Sequence, residues 1–150
     1  MIAELQNISK VYRENGPAAD TVLEGISLSI AENDSMAITG PSGSGKTTLL
    51  NILGTLDKPS SGKVLLDGRD VWKMEEETLA GFRNRFIGFV FQLHYLLPQL
   101  TILENVLLPT LPARESSFRK NAGERALMLL ERVGLKDHLK KFPSNLSDGE

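Results

Sequence analysis

Nine residues constrain this chain more than any others: "GPSGSGKTT", Gly40 to Thr48. They fit the pattern G-x-x-x-x-G-K-[ST] through Gly40, Gly45, Lys46 and Thr47. A short apolar run, "SMAIT" (35–39), precedes them. A stretch with Leu49, Leu50, Ile52 and Leu53 at helical spacing, "KTTLLNILGTL" (46–56), follows. At average residue frequencies the four fixed positions match by chance in about one chain of this length in two hundred, and the flanking strand and helix patterns make an accident rarer still. Each residue type has a physical task. Glycines let the backbone turn tightly and present successive N–H groups to an anion. The N-terminus of the following helix adds about half a positive charge. A lysine in this position neutralises β- and γ-phosphates, and the hydroxyl after it is a ligand for Mg²⁺. The loop therefore predicts a nucleotide-phosphate site, with Ser42, Gly43, Ser44 and Thr48 completing the wrap. The motif alone leaves GTPases, kinases and transport ATPases open.

The rest of the chain reads as mixed β/α up to Gln92 and mainly helical after it. "AELQNISKVY" (3–12) and "TVLEGISLSI" (21–30) read as strands, with a loop at "ENGPAAD" (14–20). "ENDS" (32–35) is turn chemistry, and its flanking runs are expected to form a hairpin. "SMAIT" is expected to be a buried strand. "KVLLDGRDV" (63–71) reads as a strand turning at Asp67-Gly68. "EEETLAGFRNR" (75–85) reads as a helix with acids in its first turn. "FIGFVFQ" (86–92) reads as another buried strand. "LTILENVLLPTL" (100–111) suggests a helix ending at Pro109 or Pro112. In "SSFRKNAGERALMLLERVGL" (116–135) Phe118, Ala122, Ala126, Leu129, Leu130 and Val133 share one helical face, with Gly134 as its cap.

Composition excludes several function classes. With 150 residues the length suits about one domain. The net charge of −2 gives no support for a nucleic-acid surface, whose footprint would be basic. There are no cysteines, hence no disulfide framework, thiolate metal site or Cys nucleophile, which fits a reducing cytoplasm. The N-terminus lacks the apolar run of a signal peptide, and no apolar stretch approaches the ~18 residues of a membrane-spanning helix. A membrane role is therefore expected to come through a partner. His94 and His138 have no second ligand at metal spacing. Glu75 to Glu77 read as a solvated helix start, and Trp72 as packing.

Three stretches in order resemble one family. "GPSGSGKTTLLNILGTLDKPSSGKVLLDG" (40–68) looks like the start of an ATP-binding cassette (ABC) domain. "GFVFQLHYLLPQLTILENVLLP" (88–109) places Gln92 where that family has a glutamine after a buried strand. The terminal "LSDGE" (146–150) resembles its signature motif. The pattern Pro98, Leu100-Thr101 and Glu104-Asn105-Val106 is similar to one branch, which serves lipoprotein release, macrolide or peptide export, and cell division.

The resemblance implies an α/β fold. It has a RecA-like phosphate-loop core, an antiparallel β subdomain (together 1–92) and a helical subdomain (93–150) ending at the signature. It implies ATP and Mg²⁺ as cofactors, with Thr47 and Gln92 as metal ligands. Lys46 and Gln92 would act on the γ-phosphate and attacking water. Tyr12 would be the aromatic that stacks on adenine; an ordinary edge-strand tyrosine is the alternative. Ser147 and Gly149 would contact ATP held by a second ATP-binding subunit. An integral-membrane permease would be the other partner, with the chain peripheral on the cytoplasmic membrane face. A nucleotide-gated regulator of a cell-division-type complex is the alternative role. In this family the Mg²⁺-binding Asp, the general-base Glu and the switch histidine follow the signature. The chain is thus expected to be the N-terminal part of a longer domain, without its later core strands, and to hydrolyse ATP negligibly alone. Asp148 departs from the signature's usual glycine. Facing a triphosphate, it would cost on the order of 1 kcal/mol or more; it could instead cap a helix.

Overall fold

The computed structural model describes residues 2–13, 19–92, 95–111 and 116–146. Two compact units divide the chain, Met1–Phe89 and Val90–Glu150.

The first unit is built on a four-stranded antiparallel sheet of order β2-β1-β3-β4, with β1 Ala3–Arg13, β2 Ala19–Ile30, β3 Ser61–Leu66 and β4 Arg69–Asp70. Alternation along β1 sets one face: Leu5 stands opposite Leu28 on β2 and Val64 on β3. Register shifts in β1 interrupt the pairing around Asn7, which sits at φ 49°. Gly62 faces this irregularity. A Cβ there would lie 2.5 Å from the Asn7 carbonyl oxygen, at φ 94°, so the close approach of β1 and β3 admits glycine. The β3–β4 turn falls at Asp67 (φ 49°) and Gly68 (φ 71°), the left-handed pair that a tight hairpin needs.

Helix α1, Lys46–Leu53, and helix α2, Glu76–Phe86, complete this unit. Leu5, Ile8, Ile52, Val64, Val71, Leu79 and Phe82 form one buried cluster. Trp72 packs against it, as the sequence suggests, though its buried Nε1 has no partner among the described residues. Glu75, Glu76 and Glu77 occupy the cap and first turn of α2, where acids suit the helix dipole.

Two expected strands are not formed. Residues 35–39 have no strand pairing, and Met36 is 49% exposed. Residues 87–92 likewise form no strand ladder among the described residues, and Val90 is 102% exposed. A strand needs a neighbour for its N–H and C=O groups. Every strand among the described residues already belongs to the antiparallel sheet, so neither run finds one. The expected hairpin across "ENDS" fails for the same reason, because β2 pairs with β1 instead. The turn itself is present: Asn33 is at φ 66°, and the Ala31 N–H donates to the Asp34 carboxylate at 2.8 Å.

The second unit contains α3, Ile102–Leu107, and α4, Ser116–Arg132. Thr101 and Glu104 form a reciprocal capping box at the start of α3. The Asn105 amide donates to the carbonyls of Leu97, Leu100 and Thr101 and accepts from the Leu97 N–H, tying the preceding loop to the helix. The helix passes into a 3₁₀ turn, Leu108–Thr110, at Pro109. On α4 the buried face is narrower than expected. Ala126 and Leu130 are buried, whereas Leu129 and Val133 are exposed; the Phe118 side chain lies outside the described residues. Gly134 caps the helix at φ 79°, with the Leu135 N–H returning to the Leu130 carbonyl at 2.8 Å.

Candidate functional site

The glycine-rich loop leads directly into α1. Gly40, Gly43 and Gly45 all have positive φ, at 153°, 79° and 83°. Gly45 is the helix N-cap, and a Cβ there would lie 2.8 Å from Leu23 Cδ2 and 2.9 Å from the Val22 carbonyl oxygen. The absent side chain lets the loop sit against β2. No side chain caps α1 and its first turn holds no acid. The Leu49 N–H bonds to the Gly45 carbonyl at 2.9 Å. The preceding N–H groups, of Lys46, Thr47 and Thr48, project from the helix end, where orphan donors favour an anion.

Lys46 Nζ donates to the carbonyls of Gly40 (3.0 Å) and Pro41 (2.7 Å). Among the described residues it has no carboxylate partner. The ammonium therefore rests on the loop it belongs to, within reach of a ligand bound there. Ser42, Gly43, Ser44 and Thr47 are exposed, and Thr48 is half-buried. Residues Gly40 to Thr48 thus form one largely exposed, positively biased loop whose donors are mostly backbone.

Tyr12 stands near the end of β1, 40% exposed. Its hydroxyl donates to Asp57 Oδ2 at 2.5 Å, while Lys10 Nζ donates to Asp57 Oδ1 at 2.5 Å and lies 4.7 Å from the Tyr12 ring centroid. The Asp57 hydrogen bond, with burial, pushes the Tyr12 hydroxyl above its usual range, against the opposing effect of the Thr48 side chain. Burial would push Asp57 upward, but hydrogen bonds from Lys10 and Tyr12 outweigh it and hold the carboxyl low. Sequence reading named Tyr12 and missed Lys10 and Asp57. Lys10 shares a strand face with Tyr12, being two residues away. Asp57 lies 45 positions from Tyr12, beyond the reach of any local pattern.

The remaining candidates fall elsewhere. Gln92 is exposed at a bend in the second unit. Ser147, Asp148 and Gly149 lie outside the described residues, as does His94. His138 is half-buried in a 3₁₀ turn, Lys136–His138. No group of three or more His, Cys, Asp or Glu among the described residues could hold a metal ion. A hydroxyl such as Thr47's fits Mg²⁺ in the other manner, with one or two protein oxygens beside phosphate and water ligands. No helix among them is long and apolar enough to cross a membrane.

An antiparallel sheet backed by a helix that opens on a glycine-rich phosphate loop defines an α/β phosphate-loop fold. The family model for "ABC transporter" matches residues 23–150, and the chain belongs to that family. It is similar to the lipoprotein-releasing system ATP-binding protein LolD of Syntrophus aciditrophicus, with 49% identity over 98% of this chain and 65% of the relative. It also resembles the macrolide export ATP-binding/permease protein MacB of Syntrophobacter fumaroxidans, with 48% identity over 99% of this chain and 21% of that protein. Among solved structures, a dimeric ATP-binding cassette in a post-hydrolysis state bound to ADP and Pi superposes with a TM-score of 0.85. It is 38% identical, over 97% of this chain and 63% of that one. The chain therefore spans somewhat less than two thirds of the length of the LolD relative.

Proposed function

We propose that this chain is the nucleotide-binding part of an ATP-binding subunit that works with a membrane permease, of the LolD and MacB type. The observation that carries the reading is the open N-terminus of α1. It is uncapped, free of acids, wrapped by glycines at positive φ, and attended by a lysine that rests on loop carbonyls. In this reading the loop N–H groups bind the phosphate oxygens, and Lys46 turns from the Gly40 and Pro41 carbonyls to the β- and γ-phosphates. The Thr47 hydroxyl holds Mg²⁺, which when bound neutralises charge developing on the phosphoryl group. Tyr12 offers its exposed ring face to the adenine.

Residues 1–92 then carry the phosphate site and Gln92, and 93–150 carry the signature. Gln92 reports the γ-phosphate to the permease and aids the attacking water. Ser147 and Gly149 close over ATP held by a second ATP-binding subunit. Hydrolysis belongs to the full-length protein, peripheral on the cytoplasmic membrane face. The high identity to LolD and MacB proteins supports the export branch. A thermal melt tests the site: Mg-ATP at a hundredfold excess over its Kd should stabilise the chain by about 2.7 kcal/mol. An unchanged melting temperature with Mg-ATP at millimolar concentration would contradict the proposal. Co-purification of the full-length protein with an integral-membrane partner tests the transport role; recovery of the protein alone would count against it.

A further inference from the structure

We infer that Asp57 is a positioning residue for the nucleobase platform, holding the Tyr12 ring in one orientation together with Lys10. This rests on the nucleotide reading above. An exposed tyrosine at a strand end has two free torsions, and ordering such a side chain on binding costs about two- to tenfold in affinity. Here the ring is already held. One Asp57 oxygen accepts from the Tyr12 hydroxyl and the other from Lys10 Nζ. Lys10 also donates to the Lys58 carbonyl at 2.7 Å and lies over the ring at 4.7 Å. The Lys10 and Asp57 side chains are only 12% and 26% exposed, so little water competes for the pair. Tyr12 remains 40% exposed, which leaves ring surface available to a base.

Asp57 is itself fixed from both sides. Upstream, α1 ends in a tight cap with Thr55 buried at φ 58°, and both the Leu56 and Asp57 N–H groups return to the Asn51 carbonyl, at 2.8 and 3.2 Å. Arg83 on α2 donates to the Thr55 carbonyl at 2.8 Å. Downstream, the Ser60 N–H donates to the Ser9 carbonyl at 2.8 Å, and the Ser60 hydroxyl accepts from the Val11 N–H at 3.0 Å. The same helix whose start carries the phosphate loop thus delivers, from its end, the carboxylate that orients Tyr12. Asp57 sets where a base must lie relative to phosphates bound at Gly40–Thr48.

The test compares a ligand with a base to one without: Mg-ATP against Mg-tripolyphosphate, titrated into the full chain. Tyr12→Phe and Asp57→Ala are each expected to lower ATP affinity about two- to tenfold and to leave tripolyphosphate affinity unchanged. The double variant should bind ATP about as weakly as Asp57→Ala, because both changes delete the Tyr12–Asp57 bond. Unchanged ATP affinity in both variants overturns the positioning role. So does an equal loss for both ligands, which would mark the Lys10–Asp57 pair as a prop for the fold. If Asp57→Ala does not fold, Tyr12→Phe decides alone, since it leaves the Lys10–Asp57 pair intact. Failure of the unsubstituted protein to bind either ligand would instead remove the nucleotide reading, and this inference with it.

Discussion

Lys46 shows what a single residue can be asked to do here. Its ammonium bonds loop carbonyls and no described carboxylate, so Lys46→Ala should change the melting temperature little. The same substitution should weaken Mg-ATP binding by about tenfold or more, the scale of a charge-assisted hydrogen bond; calorimetry and a melt on one preparation check both halves. Asp57 supplies the pH dependence. Burial raises its carboxyl, but bonds from Lys10 and Tyr12 prevail and lower it. A carboxyl held below its unfolded value contributes stability above the unfolded pKa, about 4, and loses it as pH falls through the folded value. Urea midpoints should therefore drop as pH falls below about 4, and Asp57→Asn should flatten that slope. Lys46 and Thr47 were legible in the sequence because the motif lies on consecutive residues. The Lys10–Asp57 contact spans 47 positions and exists only once β1 and the end of α1 meet.

At the scale of elements, local pattern located every strand that has a partner. It misread those whose partner is not among the described residues. β1, β2 and β3 alternate, and β1 pairs with each of the other two. "SMAIT" and "FIGFVFQ" carry equally strong apolar patterns but join no sheet among the described residues, because apolar composition does not say where a neighbouring strand will come from. Two turn glycines separate strain from crowding. Gly68→Ala meets open space at φ 71° and should cost about 1–2 kcal/mol. Gly62→Ala adds a backbone clash at 2.5 Å and should cost about 2–4 kcal/mol. Equal losses in chemical denaturation would show that β1 and β3 separate easily. The narrow buried face of α4 has a related cause. The helical period marks which residues can face a neighbour, and among the described side chains of α4 Ala126 and Leu130 are the ones buried.

For the molecule as a whole, the antiparallel sheet, α1 and α2 share a continuous core, while the two apolar runs beside the phosphate loop and after α2 lie open. Amides of 36–39, Gly88 and Val90 should exchange with solvent far faster than those of β1 and β3; comparable protection would mean that these runs find partners in solution. The relatives are longer than this chain, and we propose that the strands which cover these runs lie in the remainder. The phosphate site proposed above draws its donors from the loop and the start of α1, both in the first unit. Calorimetric titration of Mg-ATP into the chain and into Lys46→Ala tests whether Gly40–Thr48 binds nucleotide phosphates through the open end of α1 and Lys46. The expected result is saturable binding at one site, weakened about tenfold or more by the substitution. Equal affinities for the two proteins, or no binding to the unsubstituted chain, would contradict it.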